Sequence, residues 1–189
     1  MEEARIDFPE KSGWRYTELE EQNIMNKYTF RNIREQEIDQ AIVIEQECFP
    51  PHEACSAKDM RERILAAPEL FFVAEDKTTG KLAGFLTGVS TNEQRFRDEF
   101  FTDASLYDPD GETVMLTGLE VLPQHRNQGL GRELMYQYLR REKDKGRKKF
   151  ILTCLESKVN MYRNWGFEDK GISASTWGDE EWHEMSCEC

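Results

Sequence analysis

The sequence predicts one mixed α/β (α+β) domain, and three observations predict it. At 189 residues the chain can bury one proper core and is too short for two typical domains. Strand-like and helix-like periodicities alternate along it, without an internal repeat or a low-complexity linker. Residues 114–134 condense the arrangement. An apolar strand rich in Val and Thr stops at Pro123, a glycine-containing turn follows, and Leu130, Leu134 and Tyr138 then recur at helical spacing.

Residues 1–26 are polar with scattered Phe8, Trp14 and Tyr16, an N-terminal extension whose structure the sequence leaves open; the domain is expected over 27–189. Alternation over 28–34 predicts a first strand. Ile38, Ala41, Ile42 and Glu45 share one helical face, which predicts a helix over 36–48. Phe49-Pro50-Pro51 breaks it, since consecutive prolines disfavour helix, and Ser56 is placed to cap a second helix through 67. Residues 70–75 and 82–90 read as strands joined by a hairpin ending in Gly80-Lys81. A polar and aromatic connection over 91–111 ends in the turn Asp108-Pro109-Asp110-Gly111. Beyond the central strand and helix come a buried strand over 150–155, a short helix over 157–165 stopped by Gly166, and a last hairpin turning at Trp177-Gly178-Asp179.

The central turn has the chemistry of an anion site. Free N–H groups at a helix N-terminus meet the positive end of its dipole, and Gly129 and Gly131 let a phosphate approach the backbone. A P-loop is excluded because no Gly-Lys-Ser/Thr follows. A dinucleotide fingerprint is excluded because Leu134 stands where its third glycine belongs.

Composition bounds the partners. A net charge of −12 argues against nucleic acid and anionic membranes and suits a cationic substrate. No apolar run approaches membrane-spanning length, and the acidic start is unlike a signal peptide. The five cysteines are odd in number and lack zinc-like spacing, as expected of reduced cytoplasmic thiols. The positive charge that exists gathers at Arg126, Arg132 and the run Arg140–Lys149, around the proposed phosphate loop; the second half of that run also reads as helix-end lysines complementing a dipole.

The pattern L-x-V-x-P at Leu119–Pro123 followed by R-x-x-G-x-G at Arg126–Gly131 resembles the acetyl-CoA signature of the GNAT superfamily of N-acetyltransferases. Within it the chain is similar to the arylalkylamine N-acetyltransferase group. The similarity is carried by Phe49-Pro50-Pro51-His52-Glu53-Ala54-Cys55-Ser56, Pro68-Glu69-Leu70-Phe71, Met161-Tyr162-Arg163-Asn164-Trp165-Gly166-Phe167 and Trp182-His183-Glu184-Met185. The resemblance implies a mostly antiparallel mixed sheet of about seven strands, flanked by helices and splayed at the fourth and fifth. It implies acetyl-CoA as co-substrate, no metal, a small primary amine as acceptor (arylalkylamine-like or polyamine, with a protein amine or a non-catalytic module as rivals), and a monomer or homodimer.

Residue roles follow from the same likeness. Leu119, Glu120 and Val121 would meet the pantetheine, and Arg126, Asn127, Gln128, Gly129, Leu130, Gly131 and Arg132 the pyrophosphate. Asn160 would bind the pantetheine amides, and Tyr162 would donate a proton to the departing thiolate. Phe49, Pro50, His52, Glu53 and Thr117 would form the acceptor side, with Trp165, Phe167 and Trp177 either walling it or filling the core. The group's two relay histidines are missing: their positions hold Met115 and Thr117, neither of them a base near neutral pH. Strand alternation turns Glu120 away from Leu119 and Val121, towards the acceptor side or solvent, which leaves it with Glu45, His52 and Glu53 as candidate bases. Gly118 fits a bulge or a close ligand approach. His125 reads as a solvated loop residue and His183 as an edge residue.

Overall fold

The computed structural model describes residues 17–188; Phe8, Trp14, Tyr16 and Cys189 lie outside the described residues. Seven strands form one sheet in the order β1-β2-β3-β4-β5-β7-β6: β1 (Tyr28–Asn32), β2 (Phe71–Asp76), β3 (Lys81–Thr91), β4 (Thr113–Val121), β5 (Lys149–Cys154), β6 (Glu168–Ile172) and β7 (His183–Glu188). Every neighbouring pair is antiparallel except β4–β5, which is parallel.

Alternating side chains divide the interior into two cores. Phe72, Ala74, Leu116, Phe150 and Leu152 lie with α4 (Leu130–Asp144) and α5 (Glu156–Asn164). Their neighbours Phe71, Val73, Met115 and Ile151 lie with α2 (Ile38–Cys48) and α3 (Ala57–Ala66). Covering both faces explains why these strands read as continuous apolar runs. Leu130, Leu134 and Tyr138 are all buried on α4, as their spacing predicts, and Tyr138 donates its hydroxyl to the Leu70 carbonyl at 3.0 Å. Full burial of one such leucine is worth about 1.5–3 kcal/mol.

Several boundaries moved for local reasons. β1 ends at Asn32, short of residue 34, because the Arg34 N–H donates to the Glu37 carboxylate at 2.8 Å and the chain turns through a 3₁₀ segment before α2. The buried face of α2 is Ile38, Ala41, Ile44 and Glu45; Ile42 is only half-buried. Ser56 caps α3 by accepting the Asp59 N–H at 3.0 Å. The 91–111 connection contains two 3₁₀ turns and buries Phe96 and Phe100 in the core.

The N-terminal extension supplies a helix, α1 (Glu18–Lys27), opened by a capping box between Thr17 and Glu20 and buried at Ile24. The later part of the basic run is internally neutralised: Lys145 pairs with Glu142, Lys148 with Glu112, and the buried Arg147 donates to the Gly111 carbonyl. The four described cysteines, Cys48, Cys55, Cys154 and Cys187, form no disulfide. No helix of the described residues is long and apolar enough to cross a membrane.

Candidate active site

The site lies where β4 leaves β5. Pairing of β4 with β5 stops at Met115 opposite Ile151, whereas pairing with β3 continues to Val121 opposite Gly84. From Leu116 onward the edge of β4 turned towards β5 therefore has no strand partner. A cavity of about 560 Å³ opens there, walled by β4, α2, α5, the start of α4 and the Trp177–Trp182 segment. Such an edge offers alternating N–H and C=O groups to an extended amide-bearing ligand.

Glu120 is the electrostatic centre of this cavity. Its side chain is 1 % exposed, and no described N–H or hydroxyl donates to either carboxylate oxygen. The space it occupies exists because Gly118 has no side chain: a Cβ there would stand 2.3 Å from Glu120 Oε1. The β3–β4 register pairs Thr87 with Gly118 and Gly88 with Leu116, which leaves Thr117 as the extra residue of a bulge. The expected bulge is therefore beside Gly118, and the group packed against Gly118 is the Glu120 carboxylate.

Burial raises the Glu120 pKa well above the ordinary carboxylate value, and the neighbouring Glu45 raises it further by charge and hydrogen bonding. Glu45 is buried and fixed, because it accepts the Cys55 N–H at 2.8 Å. The opposing influence is Arg63, whose positive charge pulls the Glu120 pKa down. Arg63 is also buried and donates to Thr117 Oγ1 at 2.6 Å and to Cys55 Sγ at 3.6 Å. Glu120 is thus not solvated. Of the two missing histidine positions, Met115 is sealed in the core and Thr117 is tied to Arg63.

Tyr162 shares the cavity with Glu120, half-buried against Trp165 and Phe167 with ring centroids 5.5 and 5.8 Å away. Burial raises its hydroxyl pKa, with smaller contributions from Cys154 and Glu120. The Cys154 thiol, also on the cavity wall, is pushed up to about 12 by burial. Both groups hold their protons at neutral pH.

The proposed phosphate loop forms the other wall. Asn127 and Gly129 have positive φ (58° and 83°), and Gly129 begins α4 without any side-chain cap. The first N–H groups of α4 are thereby left facing the opening. Arg126 Nε donates to the Val121 carbonyl at 2.8 Å. Arg126, Asn127, Gly129, Leu130, Gly131 and Arg132 all line the cavity, with Leu119, Glu120 and Val121. Gln128 does not; its side chain accepts from Lys27 Nζ at 2.7 Å.

On the acceptor side Phe49, Glu53 and Thr117 line the cavity, whereas Pro50 and His52 do not. His52 stands half-exposed with its Nε2 3.5 Å from both Glu53 and Glu180. Asn160 is exposed and away from the wall, beside Arg163. Trp165 and Trp177 line the cavity, and Phe167 is core. Trp177 donates its indole N–H to the Glu53 carbonyl at 2.7 Å, which locks the last hairpin to the substrate-side loop.

Two histidine readings change. His125 is largely buried, hydrogen-bonded through Nδ1 to the Tyr28 hydroxyl at 2.8 Å, and burial lowers its pKa. His183 lies on β7, which is interior to the sheet, and its Nδ1 is 3.2 Å from Asp169. Sequence reasoning missed Arg63, Cys48, Cys55, Phe101 and Trp182. A signal existed for Arg63, a cation on the otherwise apolar face of Met60 and Ile64.

Residues 38–167 match the family model described as acetyltransferase (GNAT) family. Among curated proteins the chain is 30% identical over 109 residues to serotonin N-acetyltransferase of Mesocricetus auratus, an alignment covering 57% of this chain and 51% of that protein. The chain thus spans about half the length of this relative. Among solved structures, the loading GNATL domain of CurA from Lyngbya majuscula has a TM-score of 0.76 at 16% identity, covering 85% of this chain and 97% of that one. PaiA N-acetyltransferase from Thermoplasma acidophilum, solved with coenzyme A, has a TM-score of 0.64 at 14% identity, covering 86% and 99%. These two likenesses show the fold alone. With a family match over most of its length and a seven-stranded sheet opened at β4 and β5, the chain belongs to the GNAT acetyltransferase family.

Proposed function

We propose that residues 27–189 form an N-acetyltransferase domain that moves acetyl from acetyl-CoA to a small primary amine by direct attack, with Glu120 as base and Tyr162 as acid. The observation that carries this reading is a buried carboxylate of raised pKa sharing one cleft with a protonated phenol, beside an unpaired strand edge and an uncapped helix N-terminus. Acetyl-CoA supplies an acyl group already activated as a thioester. Arg126, Asn127 and residues Gly129–Arg132 would hold its phosphates and the free edge at Leu119–Val121 its pantetheine.

Glu45 attracts the acceptor as an ammonium ion. Burial is the first cause of the raised Glu120 pKa and the charge of Glu45 adds to it; an arriving cation offsets the Glu45 contribution and favours release of the Glu120 proton to water. Glu120 then takes the ammonium proton and leaves a neutral nucleophile. Strand N–H groups freed by the splay stabilise the oxyanion. As the tetrahedral adduct collapses, Tyr162 gives its proton to the leaving sulfur and the nitrogen sheds its remaining extra proton to the resulting phenolate, which restores the phenol; burial favours that protonated form.

Phe49, Phe101, Trp177 and Trp182 line the acceptor side together with Glu53. Aromatic walls around acidic groups favour an amine with a flat apolar body, an arylalkylamine, over a polyamine. The serotonin N-acetyltransferase relative, by its name, acts on such an amine. The test is thiol release from acetyl-CoA with phenethylamine, tryptamine, spermidine and lysine peptides. Faster turnover of the arylalkylamines supports the assignment. A preference for spermidine or lysine would move the acceptor class. Coenzyme A binding without turnover of any amine would sink the enzymatic reading.

A further inference from the structure

The helix α1 precedes both the family match and the stretch similar to the arylalkylamine enzymes, yet it touches the phosphate loop at successive points. Ile24, 5 % exposed, brings its Cδ1 to 3.1 Å from where a Cβ on Gly129 would stand. Lys27 Nζ donates to Gln128 Oε1 at 2.7 Å. Two further bonds seat the helix: Gln137 of α4 donates to Met25 Sδ at 3.6 Å, and Lys77 donates to the Met25 carbonyl at 2.7 Å.

We propose that α1 is part of the cofactor site, a clamp that holds the phosphate loop in its binding conformation, adds Lys27 to its positive charge, and thereby sets affinity for a phosphate-bearing acyl thioester. The proposal rests on the phosphate-loop reading above. Its physical basis is the backbone of the loop. Asn127 and Gly129 occupy the left-handed region, and Gly129 has no side chain to restrain it. A loop of this kind samples other conformations unless something fixes it, and ordering it at the moment of binding subtracts from affinity. Ile24 removes that cost by filling the space over Gly129. Lys27 holds Gln128, the residue between the two left-handed positions, through a charge-assisted bond.

The role is one of positioning, so it separates the two substrates: loss of the clamp weakens the acetyl donor and spares the acceptor. The experiment is calorimetric binding of coenzyme A to the full chain, to Ile24→Ala and to Lys27→Ala, with the KM of the preferred amine measured on each. Lys27→Ala changes a surface side chain and keeps the test valid if Ile24→Ala fails to fold. The expected result is coenzyme A binding about three- to tenfold weaker for Lys27→Ala, the net worth of one exposed hydrogen bond, with the amine KM unchanged. Saturating coenzyme A is also expected to slow tryptic cleavage after Lys27. Unchanged coenzyme A affinity in Lys27→Ala, or an equal rise in amine KM, would overturn the proposal. A full chain that binds no coenzyme A would overturn the phosphate-loop reading itself, an outcome distinct from either.

Discussion

Replacing Glu120 by glutamine removes the charge while keeping the shape, and the new amide can donate to the Glu45 carboxylate beside it. Two effects are expected, and they oppose each other. Turnover should fall by about 10²–10⁴, the usual worth of a general base, and the acidic limb that Glu120 gives the pH–rate profile should disappear. Stability should move the other way. The folded pKa of Glu120 is raised, so above the unfolded value of ~4.3 the unfolded state releases this proton first, and the native chain loses stability as pH rises towards the folded pKa. The slope over that window is about 1.4 kcal/mol per pH unit for one group. In a chain of this size that amounts to a melting-temperature difference of roughly 3–6 °C per pH unit. The assay is thermal unfolding of parent and Glu120→Gln from pH 5 to pH 8, beside their pH–rate profiles. The melting temperature of the variant should gain on the parent as pH rises. A constant difference across this range, or turnover within threefold of the parent with the same acidic limb, would refute the argument.

The other predictions test the surroundings of that carboxylate. Tyr162→Phe should lower kcat about tenfold or more while coenzyme A affinity stays within twofold; equal kcat would remove its role as acid. Gly118→Ala places a methyl group 2.3 Å from Glu120 Oε1 and so pushes the carboxylate aside; it should reduce kcat far more than it shifts the melting temperature, and parent-like turnover would count against the tight packing. Gly129→Ala forces a side chain into a φ of 83° against Ile24. It should cost about 1–2 kcal/mol of stability and weaken coenzyme A binding in calorimetry. Arg63→Met leaves Thr117 without its donor and removes the charge that restrains the Glu120 pKa. The acidic limb of the rate profile should therefore move to higher pH; an unmoved limb would show that Arg63 does not act on Glu120.

The sequence by itself determined what depends on neighbours along the chain. The helices and strands follow from short-range periodicity, the stop at Pro123 from a missing N–H, and the left-handed turn at Gly129 from a missing side chain. The strand, left-handed turn and helix that carry the proposed phosphate loop were legible because they are contiguous between Thr113 and Asp144. The proposed acid–base centre was legible only in part. Alternation turned Glu120 from its neighbours, but whether it met water or another carboxylate depended on how α2 lies across β4. That placement joins Glu45 to a residue 75 positions away, and α3 brings Arg63 to Thr117 across 54. Periodicity carries no information over such separations, since β4 and α2 meet only through packing of the whole core. His125 shows the same limit. Its polar loop predicts solvent, yet Tyr28 on a distant edge of the sequence buries and binds it. Tertiary structure decided the environment of each charge, and with it which carboxylate of an acidic chain is buried and raised in pKa, because desolvation is a property of everything that surrounds a group in space.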